Sequence, residues 1–193
     1  MRSTSKQRIV APRLAGALTV LAALVSGSAF AEVKQVSAAG FELQHQVVLK
    51  AEASKVFQTL SQPAQWWHPS HTWSGDSANL SLELRAGGCF CERWPEGEAE
   101  HMRVGAFQHN TQLRLIGGLG PLQAMGLGGA LQFTLKPHED GTELSLVYRV
   151  SGDNEHQLEP LAPVVDRVLG EQFTRLVRLI ETGAAEAAES AAE

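Results

Sequence analysis

Residues 158–183, LEPLAPVVDRVLGEQFTRLVRLIETG, set Leu161, Val165, Val168, Leu169, Gln172, Leu176 and Ile180 on one stripe at helical spacing, and Gly183 stops the run. A helix of this length with a single apolar face needs a surface to cover, and the chain upstream supplies one. FELQHQVVLKA alternates through Phe41, Leu43, His45, Val47 and Leu49, the pattern of a half-buried strand. EASKVFQTLSQPAQWW then shifts to helical spacing through Val56, Phe57 and Leu60, and Pro63 breaks it and opens a second short helix. ANLSLELR, CFCERW, AEHMRVGAFQ, TQLRLIGGL, GALQFTLKP and TELSLVYRV read as further strands. Pro95-Glu96-Gly97-Glu98 and Glu139-Asp140-Gly141 supply hairpin turns between neighbours. The order is strand, two short helices, a run of strands, then one long helix. The architecture that buries every apolar face is α+β: a curved antiparallel sheet of six to seven strands wrapped on the C-terminal helix, with a cavity between them.

The ends of the chain read differently. Residues 1–31 carry Arg2, Lys6, Arg8 and Arg13, then an apolar run from Leu14 to Ala29, then Ala29-Phe30-Ala31. That is the plan of a secretory signal peptide cleaved near Ala31, and its apolar run is shorter than the ~20 residues a membrane span needs. The expected location is therefore periplasmic or secreted, with no membrane anchor after cleavage. The remainder, 12 Lys+Arg against 21 Asp+Glu, has a formal charge of −9, which argues against nucleic acid as a partner. Residues 32–183 fit one domain with one core. The Ala/Glu-rich segment 184–193 carries no bulky apolar residue and is expected to be disordered. The sequence leaves the oligomeric state open.

Both cysteines, Cys89 and Cys91, sit at i and i+2 of one expected strand and so share a face. Three readings stay open for them: packing against a cavity, a disulfide with each other, or a metal site. In the last, His101 on the partner strand would join the two thiolates, a set suited to zinc or copper(I). Register decides: an odd number of loop residues brings His101 opposite Cys91, an even number brings Met102. His45 lies mid-strand on the apolar face, as a satisfied core histidine or as a polar anchor or general base. Glu83, Arg85, Glu92, Arg93 and Arg103 read as cross-strand charges, several of them solvent-facing. Asp166, Arg167, Glu171 and Arg175 read as a solvated helix face. Gly117 to Gly129 is rich in glycine but lacks the lysine and strand–loop–helix context of a phosphate loop, and suits a mobile apolar lid or a plain connection. No serine stands in a nucleophile elbow, and no catalytic residue can be named.

VVLKAEASKVFQTLSQPAQWW, LRAGGCFCERW, GALQFTLKPHEDGTELSLVYRV and DRVLGEQFTRLVRLIE together resemble the SRPBCC or START-like (helix-grip) superfamily. Within it the chain is most similar to the branch related to the activator of the heat-shock-protein-90 ATPase. The resemblance implies a helix-grip fold with a cavity between sheet and helix. It also implies that QWWHPSHTWSG borders the cavity mouth, where Trp66, Trp67 and Trp73 would gate an apolar ligand. The expected function is binding of a small apolar or amphipathic molecule, with His45, Trp66, Trp67, Trp73, Cys89, Cys91, His101 and Phe133 as candidate ligand-binding residues. No cofactor is required on this reading. The alternatives are a cyclase- or hydrolase-like enzyme using a cavity histidine, a metal- or redox-responsive protein acting through Cys89, Cys91 and His101, and a cochaperone-like interaction module.

Overall fold

The computed structural model describes residues 30–187. Eight strands form one antiparallel sheet: β1 (Phe30–Ser37), β2 (Gly40–Leu49), β3 (Leu80–Leu82), β4 (Cys89–Trp94), β5 (Gly97–Gln108), β6 (Gln112–Ile116), β7 (Gly128–His138) and β8 (Gly141–Ser151). Their spatial order is β1-β2-β8-β7-β6-β5-β4-β3. The helices are α1 (Ala53–Leu60), the single turn α2 (Pro121–Ala124) and α3 (Ala162–Thr182), with short 3-10 turns after α1. Among the described residues, no helix is long and apolar enough to cross a membrane. The α+β architecture expected from periodicity is the one observed, with one strand more than the upper expectation. The addition is β1, whose KQVS end offers no apolar alternation and which pairs with β2 at the sheet edge. The expected signal peptide falls mostly on residues 1–29, outside the described residues; the expected mature start at Glu32 falls within β1.

Alternation sets the concave face. Phe41, Leu43, His45, Val47 and Leu49 of β2 face the same side as Thr142, Leu144, Leu146, Tyr148 and Val150 of β8. Leu131, Phe133 and Leu135 of β7 continue that face. Helix α3 lies against it through Leu169, Phe173, Leu176 and Ile180, each worth about 1.5–3 kcal/mol when fully buried. Gly183 ends α3 in the left-handed region at φ +83°, where its N–H donates to the Leu179 carbonyl at 3.0 Å. Gly170 serves close approach instead, since a Cβ there would stand 3.1 Å from His45 Cε1. The first residues of the segment expected to be disordered fold back on α3. Ala185 is buried and Glu186 pairs with Arg175, while residues 188–193 lie outside the described residues.

Three β-bulges interrupt the ladders, at Val33/Gln35 in β1, Phe90/Cys91 against β5, and Val104/Ala106 in β5. Bulges bend and twist a sheet. Two of the three fall on β5, which shares with α3 the lining of a cavity.

Candidate functional site

The β4–β5 hairpin reaches that cavity through one residue, His101. Pro95 and Glu96 alone make the turn, so Trp94 pairs with Gly97 and Cys91 with Glu100. The bulge then skips a residue, and Phe90 pairs with Met102. Neither register expected from loop parity is therefore realised: Glu100 stands opposite Cys91, and His101 is the extra residue. The bulge turns two consecutive side chains, His101 and Met102, to the inner face, and both are buried.

Next to them Glu92, which alternation alone left among the surface charges, is 0% exposed because it shares the inward parity of Phe90. The carboxylate is satisfied from three directions. Trp73 N–H donates to Oε2 at 2.9 Å, Ser74 N–H donates to Oε1 at 2.5 Å, and His101 Nε2 lies 2.9 Å from Oε2. Burial pushes its pKa up, but the hydrogen bonds from Ser74, Trp73 and His101 outweigh that and hold it below the usual carboxylate value. His101 titrates below the usual histidine value, because burial outweighs the pull of Glu92. An ionised Glu92 and a neutral His101 assign the proton to Nε2 and leave Nδ1 a lone-pair acceptor. Nδ1 has no hydrogen-bond partner among the described residues. The ring itself is held by stacking on Phe90, with centroids 5.0 Å apart.

His101 borders a cavity of about 260 Å³. Val165, Val168 and Leu169 of α3 form one wall, Leu119 and Leu122 around α2 another, and Trp67 and Trp73 a third. The glycine-rich connection, read from sequence as a lid or a plain connection, supplies a wall and is pinned by Tyr148. Its hydroxyl accepts from Leu119 N–H at 3.1 Å and donates to the Gly117 carbonyl at 3.3 Å. Burial raises the Tyr148 pKa to about 12, so the phenol stays a donor. Ser70, His71 and Thr72 complete the rim, but their polar atoms are engaged. Ser70 bonds His68, His71 bonds Glu171 at 3.0 Å, and Thr72 donates to the Pro69 carbonyl. An entering molecule thus meets mostly apolar walls, with the His101 imidazole among the polar groups that line them.

The other expected site residues disperse. Trp67 lines the cavity and donates from Nε1 to the His71 carbonyl at 3.0 Å; Trp73, 54% exposed, stands at the mouth. Trp66 is core, with a buried Nε1 that has no hydrogen-bond partner among the described residues, and it shares with Phe133 a gap of only about 10 Å³. His45 lines neither space. It sits beneath α3, 5.7 Å from the Phe173 ring centroid, with Nε2 3.0 Å from Asp166 Oδ1. The two atoms meet as an ion-pair contact, and neither has a further hydrogen-bond partner among the described residues. Burial, ahead of the opposing pull of Asp166, lowers the His45 pKa. Cys89 and Cys91 do not line the cavity. Alternation puts them on the outer face of β4, joined in a disulfide. The Cys89–Cys91–His101 metal set therefore does not converge: the sulfurs are bonded to each other on one face and the imidazole is bonded to Glu92 on the other. Among the described residues, the one group of ligand atoms close enough to share an ion is His138, Glu139 and Asp140, exposed at the β7–β8 turn. Glu92 and Arg175, read from sequence as surface charges, are buried, and parity with Phe90 could have flagged Glu92; Gln172, on the stripe of α3, is buried as well, and its Oε1 accepts from His68 N–H at 2.7 Å.

No family model matches the chain, and no curated protein does. Solved structures do. A protein from Arthrobacter aurescens superposes with a TM-score of 0.55 at 14% identity, covering 88% of this chain and 99% of its own. A conserved protein of unknown function from Enterococcus faecalis gives 0.53 at 15% identity, covering 86% and 82%. The Aha1 dimer from Colwellia psychrerythraea gives 0.48 at 16% identity, covering 74% and 97%. Likeness at this identity is likeness of fold: the chain shares with the Arthrobacter and Enterococcus proteins the α+β helix-grip architecture of a curved antiparallel sheet closed by a long C-terminal helix.

Proposed function

We propose that this protein binds a small amphipathic molecule in the cavity between β5, α2 and α3, and that it is a member of the SRPBCC superfamily close to the Aha1-related branch. The observation that carries the binding reading is a cavity with mostly apolar walls that is bordered by His101, whose Nδ1 has no hydrogen-bond partner among the described residues. The volume, about 260 Å³, falls just under the range of pockets for drug-sized ligands, so the ligand is small. Its matching chemistry is an apolar body with one hydrogen-bond donor, such as a phenol or a short alcohol. Export to the periplasm or beyond belongs to the same proposal and rests on the basic, apolar and Ala-Phe-Ala segments of residues 1–31.

Trp67 and Trp73 report on occupancy, because both border the cavity. Titration with a series of alkylphenols is expected to change tryptophan emission saturably, with the complex visible by native mass spectrometry. His101→Leu is expected to weaken binding about tenfold, the worth of one hydrogen bond of ~1.4 kcal/mol. Absence of a saturable change across the series sinks the binding reading.

The Glu92–His101 pair favours a second reading, in which the same neutral imidazole takes a proton from the bound molecule as a general base. Turnover of a bound phenol or enolisable ketone that is lost in His101→Gln while binding persists would select it.

A further inference from the structure

We propose that Cys89 and Cys91 form a thiol–disulfide exchange site on the outer face of β4, with Cys89 as the exchanging sulfur. The bridge encloses a single residue, Phe90, and joins Cα atoms 5.3 Å apart. Stabilisation from a cross-link grows with the loop it closes, and this loop is about as short as one can be. Both cysteines already lie in one strand held by ladders to β3 and β5, so the bond fastens together nothing that the sheet does not. A bridge with so little structural work and a solvent-facing position is suited to opening and closing.

The surroundings make the two sulfurs unequal. They line a depression with Arg85, Arg93 and Arg103 on one side of the charge balance and Glu83, Glu98 and Glu100 on the other. Directly across the ladder, Cys89 faces Arg103 and Cys91 faces Glu100. Arg103 also pairs with Glu100, so the two charges partly offset; what remains favours a thiolate at Cys89 over Cys91. Access follows the same order: Cys89 is half-buried, while Cys91 is 7% exposed.

The substrate class is a thiol, either low-molecular-weight or a cysteine pair of a partner protein. A substrate thiolate attacks Cys89 Sγ, forms a mixed disulfide, and releases Cys91 as a thiolate that takes a proton. A second substrate thiolate then attacks the substrate sulfur of that mixed disulfide and releases Cys89. The substrate is oxidised to its disulfide, and two electrons reside in the reduced cysteine pair. In reverse, the Cys89 thiolate attacks a substrate disulfide and Cys91 resolves the adduct. The site lies on the opposite face from the cavity and does not depend on what the cavity holds.

The native protein is equilibrated with graded ratios of reduced and oxidised glutathione, and separately with reduced and oxidised thioredoxin-type protein. Free thiols are then counted by alkylation and mass spectrometry. The expected result is reversible appearance of two thiols with the melting temperature little changed. The couple that equilibrates faster identifies the source of the thiol. Cys91→Ser is expected to take up glutathione from its disulfide on the order of tenfold faster than Cys89→Ser. A bridge that stays closed in every buffer at native conditions overturns the proposal, as does equal or reversed labelling of the two variants.

Discussion

His101 Nε2 and Glu92 Oε2 meet at 2.9 Å with side chains 3% and 0% exposed, and they come together because a β-bulge turns one extra residue of β5 inward. The carboxylate orients the ring, two backbone N–H groups orient the carboxylate, and the ring borders the cavity with its second nitrogen unpartnered among the described residues. Each member therefore depends on the other for a satisfied environment. Glu92→Gln puts an amide NH2 where an N–H or imidazole donor already points, and is expected to cost about 2–4 kcal/mol in urea denaturation. His101→Phe keeps the stacking on Phe90 and leaves Glu92 two backbone donors, so a smaller loss is expected. The double variant should show a coupling of about 1–3 kcal/mol; strict additivity would mean that the two side chains do not act as a unit.

Stability should fall in mild acid. His45 and His101 both hold their protons less readily folded than unfolded, since burial lowers each below 6.5. As the pH drops below that unfolded value, the unfolded chain takes up protons that the folded chain refuses. Stability then declines, by at most about 1.4 kcal/mol per pH unit for each histidine, until the folded groups protonate. Glu92 acts with the same sign lower down: its folded pKa lies below 4.5, so its contribution is present above that value and is lost as the pH falls through the folded one. Denaturation midpoints from about pH 8 to pH 5 measure the slope. His45→Leu is expected to flatten it, and an unchanged slope would remove His45 from the account.

Gly170 and His45 should be strongly non-additive. A glycine inside α3 costs roughly 1 kcal/mol of helix propensity relative to alanine. Here it admits the imidazole, and an added Cβ would meet His45 Cε1 at 3.1 Å. Gly170→Ala in the native background is expected to be neutral or destabilising. In a His45→Ala background the same change should stabilise by about 1 kcal/mol. A stabilising Gly170→Ala in both backgrounds would mean that the close approach carries no constraint.

The sheet and α3 were legible because period-2 and period-3.6 burial leave their mark directly on residue order, from Phe41 to Leu49 and from Leu161 to Ile180. The site was less so. A bulge breaks the parity on which strand reading relies, and nothing in GEAEHMRV announces that His101 and Met102 will face the same way. Glu92 looks like any strand charge until the loop around Trp73 and Ser74, distant in sequence, brings two N–H groups to it. The cysteines share a face as expected, but which face depended on the parity of Phe90, and that parity turned them outward. On α3, a run of alternating charges suggested a solvated stripe, whereas Asp166 reaches His45, Glu171 reaches His71, and Arg175 is buried.

Arg175 gives the sharpest test of that last reassignment. Its Nε donates to the Trp66 carbonyl at 2.8 Å and its Nη1 to Glu186, and the residue is only 8% exposed. It thus ties three segments together: the aromatic stretch after α1, α3 itself, and the chain beyond Gly183. A solvated-face arginine would tolerate replacement with little effect. Arg175→Met keeps most of the aliphatic volume but leaves the Trp66 carbonyl without its donor, at a cost of about 1–3 kcal/mol. For a chain of this size that corresponds to a fall in melting temperature of roughly 2–12 °C. Arg175→Lys restores charge but presents one ammonium where a fork spans two acceptors, so only partial recovery is expected. Hydrogen exchange at residues 184–187 should accelerate in Arg175→Met and less in Arg175→Lys. A melting temperature unchanged in Arg175→Met would return the residue to the surface.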